Sequence, residues 1–440
     1  MKPITIIGGG LAGCEAAWQA AESGIMVKLF EMRPGEKTPA HNTDYLAELL
    51  CSNSLRSRDP ENPHGLLKEE LRRLNSLLIR CADESAIPAG KALAVNRNQF
   101  GSLVTAAIES HPNISLVREE ITRIPEESAI IATGPLTSDS LSRTIQDFTG
   151  KENLYFYDAI SPIIDAHTIN YKKVFFGNRY EKDGNDYVNC PLTEEEYKIF
   201  YQNLMAGEMT PIRDFEDPKF FEGCMPVEVI AQRGAESLTF GPMRPVGFSF
   251  YNEKGTPYAI VQLRKENREG TMYNMVGFQT RLKHSCQESI FRLIPGLEKA
   301  EFHRFGSMHK NTYINSPELL CSTFESKKKK GLFFAGQITG VEGYVESIAS
   351  GCIAGIMASE KIKGKLLGTP PETTAIGALI KYITSKPKKG TFQPMNINLG
   401  LFPSLDVIKM KKKDKRRLIS QRALGDLERW IQRRNISARK

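Results

Sequence analysis

An α/β fold, split by an α+β insertion and finished by a basic helical tail, is what three features of this sequence predict. The first is a glycine-rich turn set between a short β-rich run and a helical one. The second is a pair of later apolar runs, each closing on a glycine turn. The third is a change of composition between Asp158 and about Glu325.

The first feature is the most specific. Ile4 to Ile7 read as a strand, Gly8-Gly9-Gly10-Leu11-Ala12-Gly13 follows at once, and helix-favouring residues continue to Glu22 before Gly24. Met26 to Phe30 form a second apolar run that closes on Glu31, 18 residues past Gly13. Strand, glycine turn, helix, strand and acid stand in the order that a Rossmann-like dinucleotide fold needs. Gly8 permits the tight turn, Gly10 lets backbone approach a pyrophosphate, and Gly13 lets helix and strand pack closely. The helix N-terminus offers unpaired amides to phosphates, and Glu31 can accept bonds from ribose hydroxyls.

Ala129 to Ala132 read as a buried strand ending in the Thr133-Gly134 turn. Gly331 to Gly336 is another, followed by Gln337, Gly340, Gly343 and a helix from about Val345. This order resembles flavoproteins of the two-dinucleotide-binding type, whose late strand and helix hold the ribityl chain and isoalloxazine of FAD. No second glycine fingerprint with its own acid is present, so a reductant such as NADPH or NADH must bind without a full Rossmann site of its own.

Between the two halves, Asp183-Gly184-Asn185 and Asn252-Glu253-Lys254-Gly255 look like hairpin turns. Thr193-Glu194-Glu195-Glu196 is a capping box that opens a helix through about Met205, and Lys283 to Leu293 reads as a helix stopped by Pro295-Gly296. The expected division is a first FAD-binding part at 1–170, an α+β insertion at 171–301, a second FAD-binding part at 302–370 and a C-terminal extension at 371–440.

Composition narrows the function classes. The chain has 440 residues, 40% hydrophobic and 25% charged, as a soluble protein with a substantial core does. No run of about 18 apolar residues is present to span a membrane, and glycines and Glu15 break the apolar opening stretch that a signal peptide would need. None of the eight cysteines forms a CxxC pair, so no metal centre and no dithiol motif is expected, and scattered thiols suit a reducing cytoplasm. The net charge of +8 is unevenly spread, because residues 409–440 carry +10 and the remainder −2. Ile419, Ala423, Leu427, Trp430 and Ile431 recur at helical spacing there, so one face can dock while Arg422, Arg429 and Arg433 project elsewhere. Charges fixed in this way suit RNA phosphates, and a merely solvated end is the alternative.

Several longer motifs resemble one family. They are Gly-Gly-Gly-Leu-Ala-Gly-Cys-Glu-Ala-Ala from Gly8, Leu-Cys-Ser-Asn-Ser-Leu-Arg from Leu50, Asn-Cys-Pro-Leu-Thr from Asn189 and Phe-Phe-Glu-Gly-Cys-Met-Pro-Val-Glu from Phe220. Phe-Gly-Pro-Met-Arg-Pro-Val-Gly from Phe240, Gly-Thr-Met-Tyr-Asn-Met-Val-Gly-Phe-Gln-Thr from Gly270, Met308 to Pro317 and Gly336 to Ser347 complete the set. Together they resemble the folate- and FAD-dependent tRNA (uracil-5-)-methyltransferases of bacteria, from the first strand to about Gly364. Asn96-Arg97-Asn98 departs from the more acidic pattern of that family and leaves the role of its turn open.

The resemblance implies C5-methylation of a T-loop uridine in tRNA. Carbon would come from 5,10-methylenetetrahydrofolate and electrons from reduced flavin, with NADPH or NADH reloading the flavin. Uracil C5 is a poor nucleophile until a thiolate adds at C6, and the family implies Cys224 for that attack. Cys51 is implied near the flavin, as a second essential thiol or a guard, and the two roles can be reversed. Without the family match, either cysteine would read as a buried structural thiol. Glu342, Glu346, His309 and Tyr344 are candidates for the base that removes the C5 proton, and Arg244 could meet folate carboxylates or RNA phosphates. Rival readings are the same chemistry on ribosomal RNA, the larger tRNA wobble-uridine modification enzyme with its longer helical C-terminus, and a non-catalytic flavin- and RNA-binding scaffold.

Overall fold

The strand Ile4–Ile7 is made of β-branched residues and buried throughout, as suits a strand covered on both faces. It is the centre of a five-stranded parallel sheet ordered Leu332–Phe334, Ala129–Ile131, Ile4–Ile7, Val27–Phe30, Ile114–Val117. The computed structural model that shows this describes residues 3–38, 40–150, 154–181, 183–211, 225–248, 256–365, 368–387, 392–405 and 410–434. Parallel neighbours require crossovers, and the first is the helix Leu11–Glu22. Against it lies Tyr344–Ile362, the long helix that follows the last strand of the sheet.

Small residues bring these two helices together. A Cβ added at Gly355 would lie 2.5 Å from the carbonyl oxygen of Ala16, and one at Gly351 would overlap that of Ala12. Gly355→Ala should therefore push the helices apart and destabilise by about 1–3 kcal/mol, the usual range for an overpacked core. A lowered denaturation midpoint checks this, and an unchanged one would contradict the close packing.

The second sheet has six strands, ordered Phe175–Phe176, Tyr187–Leu192, Ala259–Lys265, Met272–Met275, Ile163–Asp165, Phe302–Arg304, and every pairing is antiparallel. One face is covered by Glu194–Ala206 and His284–Phe291, which bury Tyr197, Phe200, Leu204, Ile290 and Phe291. The first of these helices does begin with a capping box between Thr193 and Glu196. The Asp183–Asn185 turn lies between the antiparallel strands Phe175–Phe176 and Tyr187–Leu192. The Asn252–Gly255 turn lies outside the described residues.

The chain enters and leaves this sheet side by side, through the paired strands Ile163–Asp165 and Phe302–Arg304. A two-stranded ribbon, Leu154–Ala159 against Met308–Tyr313, connects that point back towards the parallel sheet. Asp158 stands on this ribbon opposite His309.

The tail contains the helix Lys412–Arg434, which buries Ile419, Ala423, Leu427, Trp430 and Ile431. One of its arginines does not project away as the periodicity predicts. Arg422 donates to the carbonyls of Pro403 and Ser404, whereas Arg429 is exposed and pairs at the surface with Asp426. For Arg422 the two loop carbonyls are closer partners than solvent. The exposed cations among the described tail residues are Lys411, Lys412, Lys413, Lys415, Arg417, Arg429 and Arg433. Among the described residues no helix is long and apolar enough to cross a membrane.

Candidate active site

A cleft opens at the C-terminal ends of the parallel strands, where open α/β sheets bind their ligands. Ile7, Gly8, Gly10, Glu31, Thr133 and Thr137 line it, around about 590 Å³ of open space. Gly8 adopts φ +104, and a Cβ there would sit 2.6 Å from the carbonyl oxygen of Ala132. A Cβ on Gly13 would overlap the carbonyl oxygen of Gly8, so the helix can start this close to the strand only without one. Gly10 is different, because nothing lies within 4 Å of its added Cβ. That open space, with the start of the Leu11–Glu22 helix beneath it, fits the pyrophosphate of a dinucleotide. Leu11 opens the helix, and Ala12 is buried against the Tyr344–Ile362 helix.

The acid at the end of the second strand is already organised. Oε2 of Glu31 accepts the amide of Gly9 at 2.8 Å, and Oε1 accepts Nε of Arg33 at 2.7 Å. Burial pushes this carboxyl up, but the hydrogen bonds and charge of Arg33 outweigh it and hold the group below the usual carboxylate range. An ionised Glu31 keeps acceptor capacity for a sugar hydroxyl. Thr133 faces the cleft with its hydroxyl 2.6 Å from that of Thr137, and Gly134 opens the short turn Gly134–Leu136.

The turn after the last parallel strand carries Gly336, Gln337, Gly340 and Gly343. The Gly336 amide donates to the Ser350 hydroxyl at 2.6 Å, and Gly340 and Glu342 pair with Met395. Gln337 donates to Oε2 of Glu342 at 2.8 Å. Burial pushes the Glu342 carboxyl well up, and the charge of Asp158 adds to the shift. Glu346 is buried too, accepts the Ile397 amide at 3.0 Å, and is likewise pushed up by burial.

Cys51 meets this turn from the other side. Its thiol donates to Oδ2 of Asp158 at 3.3 Å, and its amide and that of Ser52 donate to the Tyr344 hydroxyl at 2.7 and 3.0 Å. Arg97 donates to the carbonyls of Leu49 and Leu50 at 2.5 and 3.1 Å, and Arg304 reaches the second at 3.1 Å. The Arg97 fork also grips Glu266 at 2.7 and 3.2 Å. Arg264 holds Asn53 at 2.8 Å and the Ser52 hydroxyl at 2.7 Å. The loop that carries Cys51 is thus fixed by Arg264 and Arg304 of the second sheet and by Arg97 and Tyr344 at the starts of two helices. Burial first, and the Asp158 charge second, push the Cys51 thiol well up.

Cys51, Glu342, Tyr344 and Gln337, singled out in the sequence, therefore stand together, whereas other candidates do not join them here. Cys224 lies outside the described residues, as does the His309 side chain. Arg244 is exposed on a loop whose carbonyls at 244 and 246 accept from Arg179 at 2.6 and 2.7 Å. Cys14 and Cys352 are buried in the core between the two helices. Among the described residues no cluster of acids, histidines and cysteines could hold a metal ion.

Asp158, Glu266, Arg264 and Arg304 were not marked by the sequence, and Arg97 only as a turn of open role. Their partners lie far away along the chain, so no spacing signals them. Asn53 is the exception, since it sits inside the Leu50–Arg56 motif and is fully buried.

Comparison with known proteins adds three findings. The Glucose inhibited division protein A family matches residues 3–366. Two relatives named Methylenetetrahydrofolate--tRNA-(uracil-5-)-methyltransferase TrmFO align over nearly the whole chain. The one from Halalkalibacterium halodurans is 53% identical over 430 residues, 98% of this chain and 99% of its own length. The one from Geobacter sulfurreducens is 56% identical over 430 residues, 97% of this chain and 98% of its own. The solved structure of Aquifex aeolicus GidA in its form I crystal matches with a TM-score of 0.72 at 18% identity, over 100% of this chain and 76% of that one, which is a likeness of fold.

Proposed function

The chain belongs to the methylenetetrahydrofolate–tRNA-(uracil-5-)-methyltransferase family, and from that premise we propose that it methylates C5 of a T-loop uridine in tRNA, in the cytoplasm. The carbon donor is 5,10-methylenetetrahydrofolate and the reductant is reduced FAD, recharged by NADPH or NADH. The observation that carries this reading is the meeting of the Cys51 loop with Tyr344 and Glu342, just after the last parallel strand, in a fold that also holds a dinucleotide cleft.

Gly8, Gly9, Gly10, Leu11, Ala12, Gly13, Glu31, Thr133 and Gly134 would hold the adenosine and pyrophosphate of FAD. Gly336, Gln337, Gly340 and Gly343 would border its ring. When bound, reduced FAD supplies the electrons that bring a methylene to a methyl. A cysteine thiolate adds to uracil C6 and moves electron density onto C5, which attacks the one-carbon unit. The C5 proton then leaves and the thiol is eliminated. Cys224 is the first candidate for the attacker and Cys51 the second. Arg97, Arg304 and Tyr344 hold the Cys51 loop still, so its sulfur needs no large reorganisation to act. Burial and the charge of Asp158 favour the protonated form of Glu342, which can donate a hydrogen bond.

The exposed lysines 411, 412, 413 and 415 supply a cationic edge for RNA phosphates, a contact that salt weakens. Transfer of labelled methylene to defined transcripts tests the whole reading. The expected product is labelled 5-methyluridine in tRNA. Label appearing only in ribosomal RNA would reject the substrate, and methyl drawn from S-adenosylmethionine would reject the folate chemistry.

A further inference from the structure

We propose that Asp158 is the proton acceptor of Cys51 and that the two side chains form a catalytic dyad in the reaction proposed above, on which this inference rests. Asp158 is buried at 3% exposure, with Oδ1 accepting the Ala159 amide at 2.9 Å and Oδ2 accepting the Cys51 thiol at 3.3 Å. Among the described residues Cys51 is the one thiol that meets a carboxylate, whereas the thiol of Cys14, for example, donates to the Gly9 carbonyl. Five hydrogen bonds to the backbone of residues 49–52 fix the sulfur against this oxygen. A packing role does not explain an acid buried beside a thiol, since the carboxylate raises the cost of ionising that thiol.

Charge accounting gives the arrangement its use. The groups that face Cys51 are Asp158 on the ribbon, Glu342 and Tyr344 at the long helix, and Arg97 and Arg304 behind the loop. Loss of the thiol proton to solvent would place a second negative charge beside the carboxylate, in a largely buried site. Transfer to Asp158 avoids that. The proton leaves Sγ for Oδ2, the S–H electron pair stays on sulfur, and the carboxylate becomes a neutral acid. The dyad carries one negative charge before and after, so a thiolate forms without adding net charge to the pocket. On reversal Asp158 returns the proton to sulfur. This holds whether Cys51 attacks C6 itself or serves the other thiol as acid and base.

Alkylation of Cys51 by iodoacetamide in the flavin-loaded protein, read on its peptide by mass spectrometry across pH, tests the dyad together with methyl transfer. In Asp158→Asn the alkylation inflection should move to lower pH, because the neighbouring charge is gone. Turnover should nevertheless fall about 10²–10⁴-fold, the usual worth of a positioned acid–base group. The lower inflection reports the lost charge and the slower turnover the lost acceptor, and recovery by a second carboxylate separates a proton acceptor from a merely structural acid. Asp158→Glu should recover part of the turnover and keep the raised inflection. An inflection in Asp158→Asn that stays or rises, or turnover near wild type, overturns the proposal. If that variant does not fold, Asp158→Glu decides, since an inflection at the value of a free thiol would overturn it equally. Alkylation needs neither RNA nor folate. A shifted inflection in a protein whose wild type transfers no methylene would reject the proposed function and leave the dyad standing.

Discussion

Gly10→Val is expected to give a stably folded protein that carries no flavin. Three glycines of one turn have different neighbours, and that difference sets the outcome. Gly10 has ordinary backbone angles, φ −77 and ψ −170, and open space where its side chain would go. Valine tolerates that extended conformation, so the fold loses little. Its methyl groups would occupy the space over the helix start that the pyrophosphate needs. Gly13→Val, three residues on, should instead fail to fold, because its Cβ would overlap the Gly8 carbonyl. Visible absorbance of the purified proteins reads flavin content, and thermal unfolding reads stability. Flavin retained at the wild-type level by Gly10→Val would place the cofactor elsewhere.

Arg97→Ala is expected to be the most damaging change outside the glycine turn. It strips Glu266, whose side chain is 3% exposed, of both its guanidinium bonds. Removing one partner of a buried pair typically costs about 3–5 kcal/mol, because the other charge stays buried and unpaired. The same change frees the carbonyls of Leu49 and Leu50 and loosens the Cys51 loop. Arg97→Met combined with Glu266→Leu separates these two effects. The double variant should recover much of the stability, since no charge is left uncompensated, but not the turnover, since the loop has still lost its donor. Denaturant midpoints and methyl transfer measured on all variants check this. Equal recovery of both would reduce Arg97 to a structural residue.

The parts of the molecule that the sequence discloses are those whose signals are local. The Gly8–Gly13 turn, the Thr193 capping box and the apolar stripe of the Lys412–Arg434 helix each depend on residues a few positions apart. Steric need, capping and helical periodicity write themselves directly into such stretches. Strands Ile163–Asp165 and Phe302–Arg304 have only three residues each, too few for any periodicity, although they are where the chain enters and leaves the second sheet.

The site divides along the same line. Cys51 and Tyr344 stand out because each sits in a recognisable motif, whereas their meeting spans 293 positions. Asp158 lies 107 positions from Cys51, and Glu266 lies 169 from Arg97. No pattern along the chain marks a pair of this kind, since the fold alone brings them together. The tail shows the converse error. Helical spacing correctly marks its buried face but cannot tell that Arg422 is taken by the Pro403 and Ser404 carbonyls.

A crystal structure of the flavin-loaded protein measures the decisive quantity, the separation between the sulfur of Cys51 and the isoalloxazine ring. The proposed chemistry predicts a gap that a pyrimidine and one bridging carbon can fill. Both sulfurs, at 51 and 224, lying well beyond such reach, with the Cys51 loop still clamped by Arg97 and Tyr344, would contradict it.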